Sequence, residues 1–318
     1  MTDYAPLPVR GNTLDLEKYG LRPEFPEVLD SSMVKDFMYC PSYFYLRHVL
    51  GLKKKYRVPQ EDAGMDWGTK WHDLMYAWHL TYDMTEALKS LEPWPESVMA
   101  ETDRHGRSKE RMIKIFFDYV DKFGESDRKN FEVIRLENFF DIFDEEFEIR
   151  WCGRMDRVVR RRTNGRIMLW DYKTTSYMIK FYFEQFEHSF QMPGYARMLS
   201  QLLTEPVREV YLDVVHTLKK DHDFYRRSIP YSPAKIAEWG RNVRNVLDWM
   251  YWLRDNHLYN PEAWIKNWNH CTSWNKACQF ADVHWSPPTK DTRLRILRDN
   301  YEVERWDPIE ALEEERST

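Results

Sequence analysis

Between residues 145 and 175 the chain reads EEFEIRWCGRMDRVVRRRTNGRIMLWDYKTT, and Phe147, Ile149 and Trp151 alternate with more polar positions. That period of two is the signature of a half-buried strand. Thr163-Asn164-Gly165-Arg166 interrupts it with a hairpin-turn signal, because Asn-Gly tolerates the positive φ angles a tight turn requires. Two antiparallel strands are expected to flank this turn. Upstream, Asp30-Ser31-Ser32 reads as the cap of a helix beginning near Met33. The helical periodicity continues through SSMVKDFMYCPSYFYLRHVLGLKKK with a proline interruption, and returns at 67–91 and 110–123. Downstream the pattern predicts a helix at 191–203, strands in VREVYLDVVHTL and at 224–229, and a long helix over 233–256. The first thirty residues read as extended and proline-containing. The acidic end EALEEERST reads as a helical turn or a frayed tail. No internal repeat or low-complexity tract is visible.

This order predicts an α/β fold with a mixed central sheet and flanking helices. It divides into a helical region over 1–130, a core over 131–232, and a helix with a cysteine-containing segment over 233–318.

The second strand raises a chemical question. Successive strand side chains point to opposite faces, so Asp171 and Lys173 share one face while Trp170, Tyr172 and Thr174 share the other. A surface ion pair of little energetic value is the simple reading. Pairing about Asn164-Gly165, however, brings Asp156 into the region of Asp171. Two neighbouring carboxylates repel unless a proton or cation compensates, and such oxygen ligands suit Mg²⁺ or Mn²⁺. With Lys173 beside them, the set points to phosphodiester hydrolysis, in which a metal activates water and the lysine stabilises the transition state.

Two further groups carry alternatives. His72 sits among Trp71, Leu74, Met75 and Trp78, so it is either a packed helical residue or a ligand. Gln191 and Tyr195, four residues apart, share a face if the helix already includes them, which Pro193 permits and Gly194 leaves open.

Composition places the chain without identifying it. Its 318 residues suffice for a sizeable core, no run approaches a membrane span, and the start lacks the regions of a signal peptide, so a cytoplasmic protein is expected. Four cysteines do not describe a secreted disulfide scaffold. A net charge of −5 argues against polyanion binding through the whole surface. It leaves room for a local groove, with Lys53, Lys54, Lys55 and Arg57 in one cluster and Arg154, Arg157, Arg160, Arg161, Arg162 and Arg166 flanking the hairpin. Lys54 and Arg161 represent the two clusters as candidate phosphate contacts.

Together, GRMDRVV, IMLWDYKTT and SFQMPGYARML resemble the PD-(D/E)XK nuclease superfamily, in particular its RecB-like exonuclease branch, which includes CRISPR-associated adaptation exonucleases and many phage exonucleases. Met155 stands where the family motif has proline. The resemblance implies a restriction-endonuclease-like core with a mixed sheet. Asp156 and Asp171 would be the motif acids and metal ligands, with Lys173 as the catalytic lysine. Tyr172 would present its carbonyl to the metal, and His72 would be an additional ligand. Gln191 and Tyr195 match the branch's Q-x-x-x-Y element on the substrate side. The implied activity is a Mg²⁺- or Mn²⁺-dependent DNA exonuclease of phage or bacterial recombination, replication or repair, working with or without a partner protein. An endonuclease, a non-catalytic nucleic-acid-binding subunit and a hydrolase of a small phosphorylated substrate are the alternatives.

Several RecB-like nucleases hold an iron–sulfur cluster with one cysteine before the core and three after it. Cys40, Cys271 and Cys278 match that arrangement, whereas His284 stands where the last cysteine is expected. The four would hold a 4Fe–4S cluster, a zinc ion or nothing. Cys152, in the strand leading to Asp156, reads as a small buried residue.

Overall fold

The computed structural model describes Leu16 and residues 20–55, 63–94, 106–146, 148–273, 276–285 and 289–305. Phe147, Arg57, most of the proline-containing start and the acidic end EALEEERST lie outside the described residues. In chain order the strands are β1 (Leu29–Asp30), β2 (Leu52–Lys54), β3 (Phe131–Asp144), β4 (Ile149–Arg161), β5 (Ile167–Thr175), β6 (Glu209–Thr217), β7 (His222–Pro230), β8 (Thr272–Ser273), β9 (Lys276–Ala277) and β10 (Tyr301–Val303). The helices are α1 (Ser31–Tyr39), α2 (Pro41–Phe44), α3 (Ala63–Thr81), α4 (Met84–Lys89), α5 (Lys109–Asn130), α6 (Ile179–Tyr182), α7 (Glu184–Glu187), α8 (Gln191–Leu203), α9 (Pro233–His257), α10 (Ala281–Trp285) and α11 (Lys290–Asn300).

Two compact units form. One comprises Val28–Ser31 and Arg57–Arg244, the other Met1–Glu27, Ser32–Tyr56 and Asn245–Thr318. These units do not coincide with the three consecutive segments expected from the sequence. Of the helices before the hairpin, α3 and α5 pack on the sheet and belong with the core, whereas α1 beyond Ser31 and α2 fall in the other unit.

In the larger unit, β4 is the organising strand. β3 runs antiparallel along one edge of it, from Phe131 opposite Arg161 to Asp144 opposite Ile149. On the other edge β5 pairs antiparallel with the end near the turn, and β1 pairs in parallel with Trp151 and Cys152. β6 then continues parallel to β5, and β7 antiparallel to β6, giving the expected mixed sheet. The hairpin turn sits where predicted, with Gly165 at φ +69° and its N–H bonded to Arg161 O at 2.8 Å. Only Gly165 takes the left-handed conformation; Asn164 does not, and its side chain accepts instead from Arg166 N–H.

A single amphipathic stripe docks α3 on this sheet. Trp67, Trp71, Leu74, Met75 and Trp78 are buried in one core with Met112, Ile115, Phe116 and Tyr119 of α5 and Trp170 and Tyr172 of β5. These positions recur with helical spacing, and each fully buried large side chain contributes roughly 1.5–3 kcal/mol. The helical stretch expected over 67–91 is two helices. Tyr82 takes φ +55°, and the Asp83 side chain caps α4 by accepting from the N–H groups of Thr85 and Glu86. α5 runs to Asn130, seven residues beyond the end expected at 123, and leads straight into β3, a strand that sequence patterning did not anticipate.

The smaller unit is built on aromatic packing. Trp264 is 1 % exposed and meets the rings of Phe37, Phe44 and Tyr45 at centroid distances of 5.0–6.3 Å. The proline interruption expected after Tyr39 is real: Cys40 is extended, Pro41 opens α2, and a π-turn over Tyr45–Val49 follows. β2 pairs antiparallel with β10, and β8 with β9. No described helix is long and apolar enough to cross a membrane.

Candidate active site

Register decides which acids meet. In β3 and β4, Leu136 faces Arg157 and Asn138 faces Met155, so Glu137 stands opposite Asp156. In β4 and β5, Arg157 faces Trp170, so Asp156 and Asp171 are the next positions along. Three carboxylates therefore cross three adjacent strands in a row at one level. α3 brings His72 over this row, with Nδ1 3.1 Å from Asp156 Oδ1. Asp156 Oδ2 accepts from Tyr172 N–H at 2.7 Å, which fixes the carboxylate between helix and strand. Lys173 Nζ lies 2.6 Å from Asp171 Oδ2.

Among the described residues, one group of three or more histidine, cysteine and carboxylate ligand atoms lies mutually within 4.8 Å: His72, Glu137 and Asp156. Donors about 2.1 Å from one octahedral cation are roughly 3–4 Å apart, so this set closes on an ion with small movements. One imidazole and two carboxylates suit Mn²⁺ or Mg²⁺ better than a thiophilic metal. No motif or pattern in the sequence points to Glu137. Its strand is hard to see because a register shift between Val133 and Arg135 breaks the alternation, and Glu137 itself takes φ +39°. Asp171, expected as a ligand, is outside the tight group and is held by Lys173.

Burial and mutual repulsion define the electrostatics. Burial pushes Glu137 up to about 7, reinforced by the charge of Asp156. Asp171 is also raised by burial, against the opposing pull of Lys173. Asp156 ends below the usual carboxylate range, because His72 and Lys173 and the Tyr172 N–H outweigh its burial. Burial opposes charge on both His72 and Lys173, yet the aspartates hold each above its ordinary value.

Beneath β5 a buried polar network braces the site. Tyr172 OH lies 2.7 Å from His79 Nε2, and Arg157 Nη1 lies 2.6 Å from the same nitrogen. Burial and the charge of Arg157 keep His79 neutral. Arg157 also stacks 3.9 Å from the Trp170 ring and is 1 % exposed, which corrects its place among the basic residues available to phosphate. Arg161 is ion-paired with Glu209 at 2.9 Å and Arg160 with Glu205 at 3.1 Å. Lys54 lies in β2 of the smaller unit.

Gln191 opens α8 and hydrogen-bonds Tyr195, whose phenol is pushed up to about 12 by burial and feels Asp171 and Lys173 nearby. The glycine of GRMD explains how Tyr195 reaches this place. A Cβ at Gly153 would come within 2.8 Å of the Phe140 ring and 3.0 Å of the Tyr195 ring. Gly153→Ala is therefore expected to cost about 1–3 kcal/mol, read as a lowered Tm.

In the smaller unit, Asn267 N–H donates to Cys40 Sγ at 3.4 Å, and Cys271 Sγ lies 3.8 Å from Asn267 O. Cys278 N–H donates to Cys271 O at 2.8 Å, and burial, with Cys40 and Cys271 adding, raises the Cys278 thiol. His284 Nε2 lies 3.3 Å from Ser42 Oγ, and burial together with Lys266 and Arg293 lowers the imidazole to about 4. These residues do not form a group within 4.8 Å. Cys152 is fully buried in β4, as expected.

A search of curated proteins returns no match. Among solved structures, a "Putative exonuclease" from Eubacterium rectale is 12 % identical, with 82 % of this chain and 94 % of that chain covered and a TM-score of 0.46. SSO0001 is 12 % identical, with 72 % and 80 % covered and a TM-score of 0.28. The model of the PD-(D/E)XK nuclease superfamily matches residues 31–283, from the start of α1 through the carboxylate row and Lys173 into α10, and the chain belongs to that superfamily.

Proposed function

We propose that this nuclease is a metal-dependent DNA exonuclease of the RecB-like branch, acting in bacterial or phage recombination, replication or repair. The observation that supports it best is the row Glu137, Asp156 and Asp171 capped by His72 and flanked by Lys173. A Mg²⁺ or Mn²⁺ ion held there would supply Lewis-acid stabilisation and an activated water. His72, Glu137 and Asp156 would bind it, with Asp171 and the Tyr172 carbonyl completing the set. Lys173 would place its ammonium against the developing phosphate charge. Gln191 and Tyr195 would orient the strand, and Lys54 and Arg161 would contact phosphates. Incubation with end-labelled linear and covalently circular DNA, single- and double-stranded, tests this. Loss of linear substrate alone is expected; cutting of circles would make it an endonuclease, and no cutting with either metal would leave a binding protein.

The same reading includes a 4Fe–4S cluster on Cys40, Cys271, Cys278 and His284. In its favour, burial keeps His284 a neutral imidazole, the form that can ligate a metal. Protein purified anaerobically is expected to be brown, to contain iron and acid-labile sulfide, and to lose both with Cys278→Ser. Colourless protein with stoichiometric zinc would replace the cluster by zinc, and metal-free protein indifferent to Cys278→Ser would remove the site.

A further inference from the structure

Beyond Lys173 the chain leaves β5 at Thr175 and crosses residues 176–190 before α8 begins. The apolar side chains of this crossing divide sharply. Phe183 and Phe186 are 7 % and 8 % exposed, and Tyr182 packs on them with ring centroids 6.3 and 5.3 Å away. Tyr231 OH donates to Phe186 O, tying the same segment to the sheet unit. Tyr182 also hydrogen-bonds Thr175, close enough to Lys173 and Asp171 for their charges to act on its phenol. Tyr177 N–H donates to Thr175 Oγ1 at 3.1 Å. The crossing is thus fastened at both Tyr177 and Tyr182 to the strand end that carries Lys173.

Tyr182, Phe183 and Phe186 form the inward side of the segment. Yet Tyr177, Met178 and Phe181 stand 65 %, 70 % and 56 % exposed. Lys180 lies between them in sequence, its ammonium 5.5 Å from the Phe181 ring centroid. Leaving three large apolar side chains in water is unfavourable, and here they cluster within five residues beside a site for phosphodiester chemistry.

We infer that Tyr177, Met178 and Phe181 form a stacking platform for unpaired nucleobases flanking the cleaved phosphodiester, so that the substrate is single-stranded DNA or a frayed end. The inference rests on the nuclease reading above and adds the substrate class to it. Rings and a thioether offer flat, polarisable faces that accept any base, and Lys180 supplies a cation for the adjoining phosphate. Bases within a duplex are already stacked on their neighbours and present only their edges, so such a platform selects strands whose bases are free.

The test compares the wild type with the triple variant Tyr177→Ala/Met178→Ala/Phe181→Ala. Exposed positions are changed, so an unaltered Tm is expected. Binding to a labelled oligothymidylate in Ca²⁺ is expected to weaken about tenfold or more, given roughly 1–3 kcal/mol per stacked base. The slope of log Kd against log salt should stay the same, since no charge is removed. An abasic residue beside the cleaved bond should slow the wild type and leave the variant unaffected. Hydrolysis of bis(4-nitrophenyl) phosphate with Mn²⁺ should persist in both proteins, with any difference confined to KM and kcat equal, because the platform can touch the nitrophenyl rings but not the reacting phosphate. Equal oligothymidylate affinity and an equal abasic response in the two proteins would overturn the platform and leave the patch to a protein partner. A wild type inactive on bis(4-nitrophenyl) phosphate and on DNA would instead overturn the nuclease reading, while the binding comparison would still judge the platform.

Discussion

Lys173→Ala is expected to lower kcat for DNA cleavage by roughly 10²–10³-fold, the range found when one preorganised transition-state donor is removed. Its ammonium lies 2.6 Å from Asp171, and both aspartates hold it charged across the physiological range. Removing it takes away a positive charge next to the reacting phosphate. The side chain is 26 % exposed, so truncation opens no closed cavity, but it leaves the buried Asp171 carboxylate without its counter-charge. Tm should therefore also fall, and kcat is compared on protein shown to be folded. Asp171→Ala should be at least as damaging to kcat and should also weaken the response to Mn²⁺. DNA affinity should survive in both, because phosphate contacts elsewhere supply it. Near-wild-type cleavage by either purified variant would remove these residues from the chemistry.

The second large effect is a reversal of pH dependence on metal binding, carried by Glu137. Without metal its carboxyl is raised from 4.5 to about 7. Between those values the folded protein holds a proton that the unfolded chain has released. Stability is thus fully present below pH 4.5 and is lost as pH rises through about 7, by roughly 3 kcal/mol from this one group, whose side chain is 20 % exposed. Asp171, raised in the same direction, adds to the slope, so the informative comparison is with Glu137→Gln, which should flatten it. With saturating Mn²⁺ the wild-type trend should invert, because the cation competes with protons for Glu137 and His72 and binds more tightly as they deprotonate. Tm against pH, with and without Mn²⁺, reads both arms. A Glu137→Gln protein that keeps both slopes would place Glu137 outside the metal site.

Much of the core was legible from local signals. The Asn-Gly turn and the alternation on either side of it define a hairpin without reference to the rest of the chain, and Gln191–Leu203 matches its predicted bounds, with Pro193 in the first turn, where its missing N–H is not needed. The same hairpin register is enough to bring Asp156 beside Asp171, and the period of two places Lys173 on the face of Asp171.

What sequence could not supply depended on partners distant along the chain. β3 is concealed by a bulge, and nothing within it marks Glu137 as different from any other strand acid until pairing with β4 sets it opposite Asp156. Arg157 looked like its basic neighbours, but alternation turns it into the core, where His79 and the Trp170 ring receive it. His72 carried two readings until α3 docked, since the same apolar stripe that buries Trp71 and Met75 aims the imidazole at Asp156. Local patterns are properties of neighbouring residues and are written in the order of the chain. The ligand set is a property of three strands and one helix meeting at one level, and only packing of the larger unit determines that level.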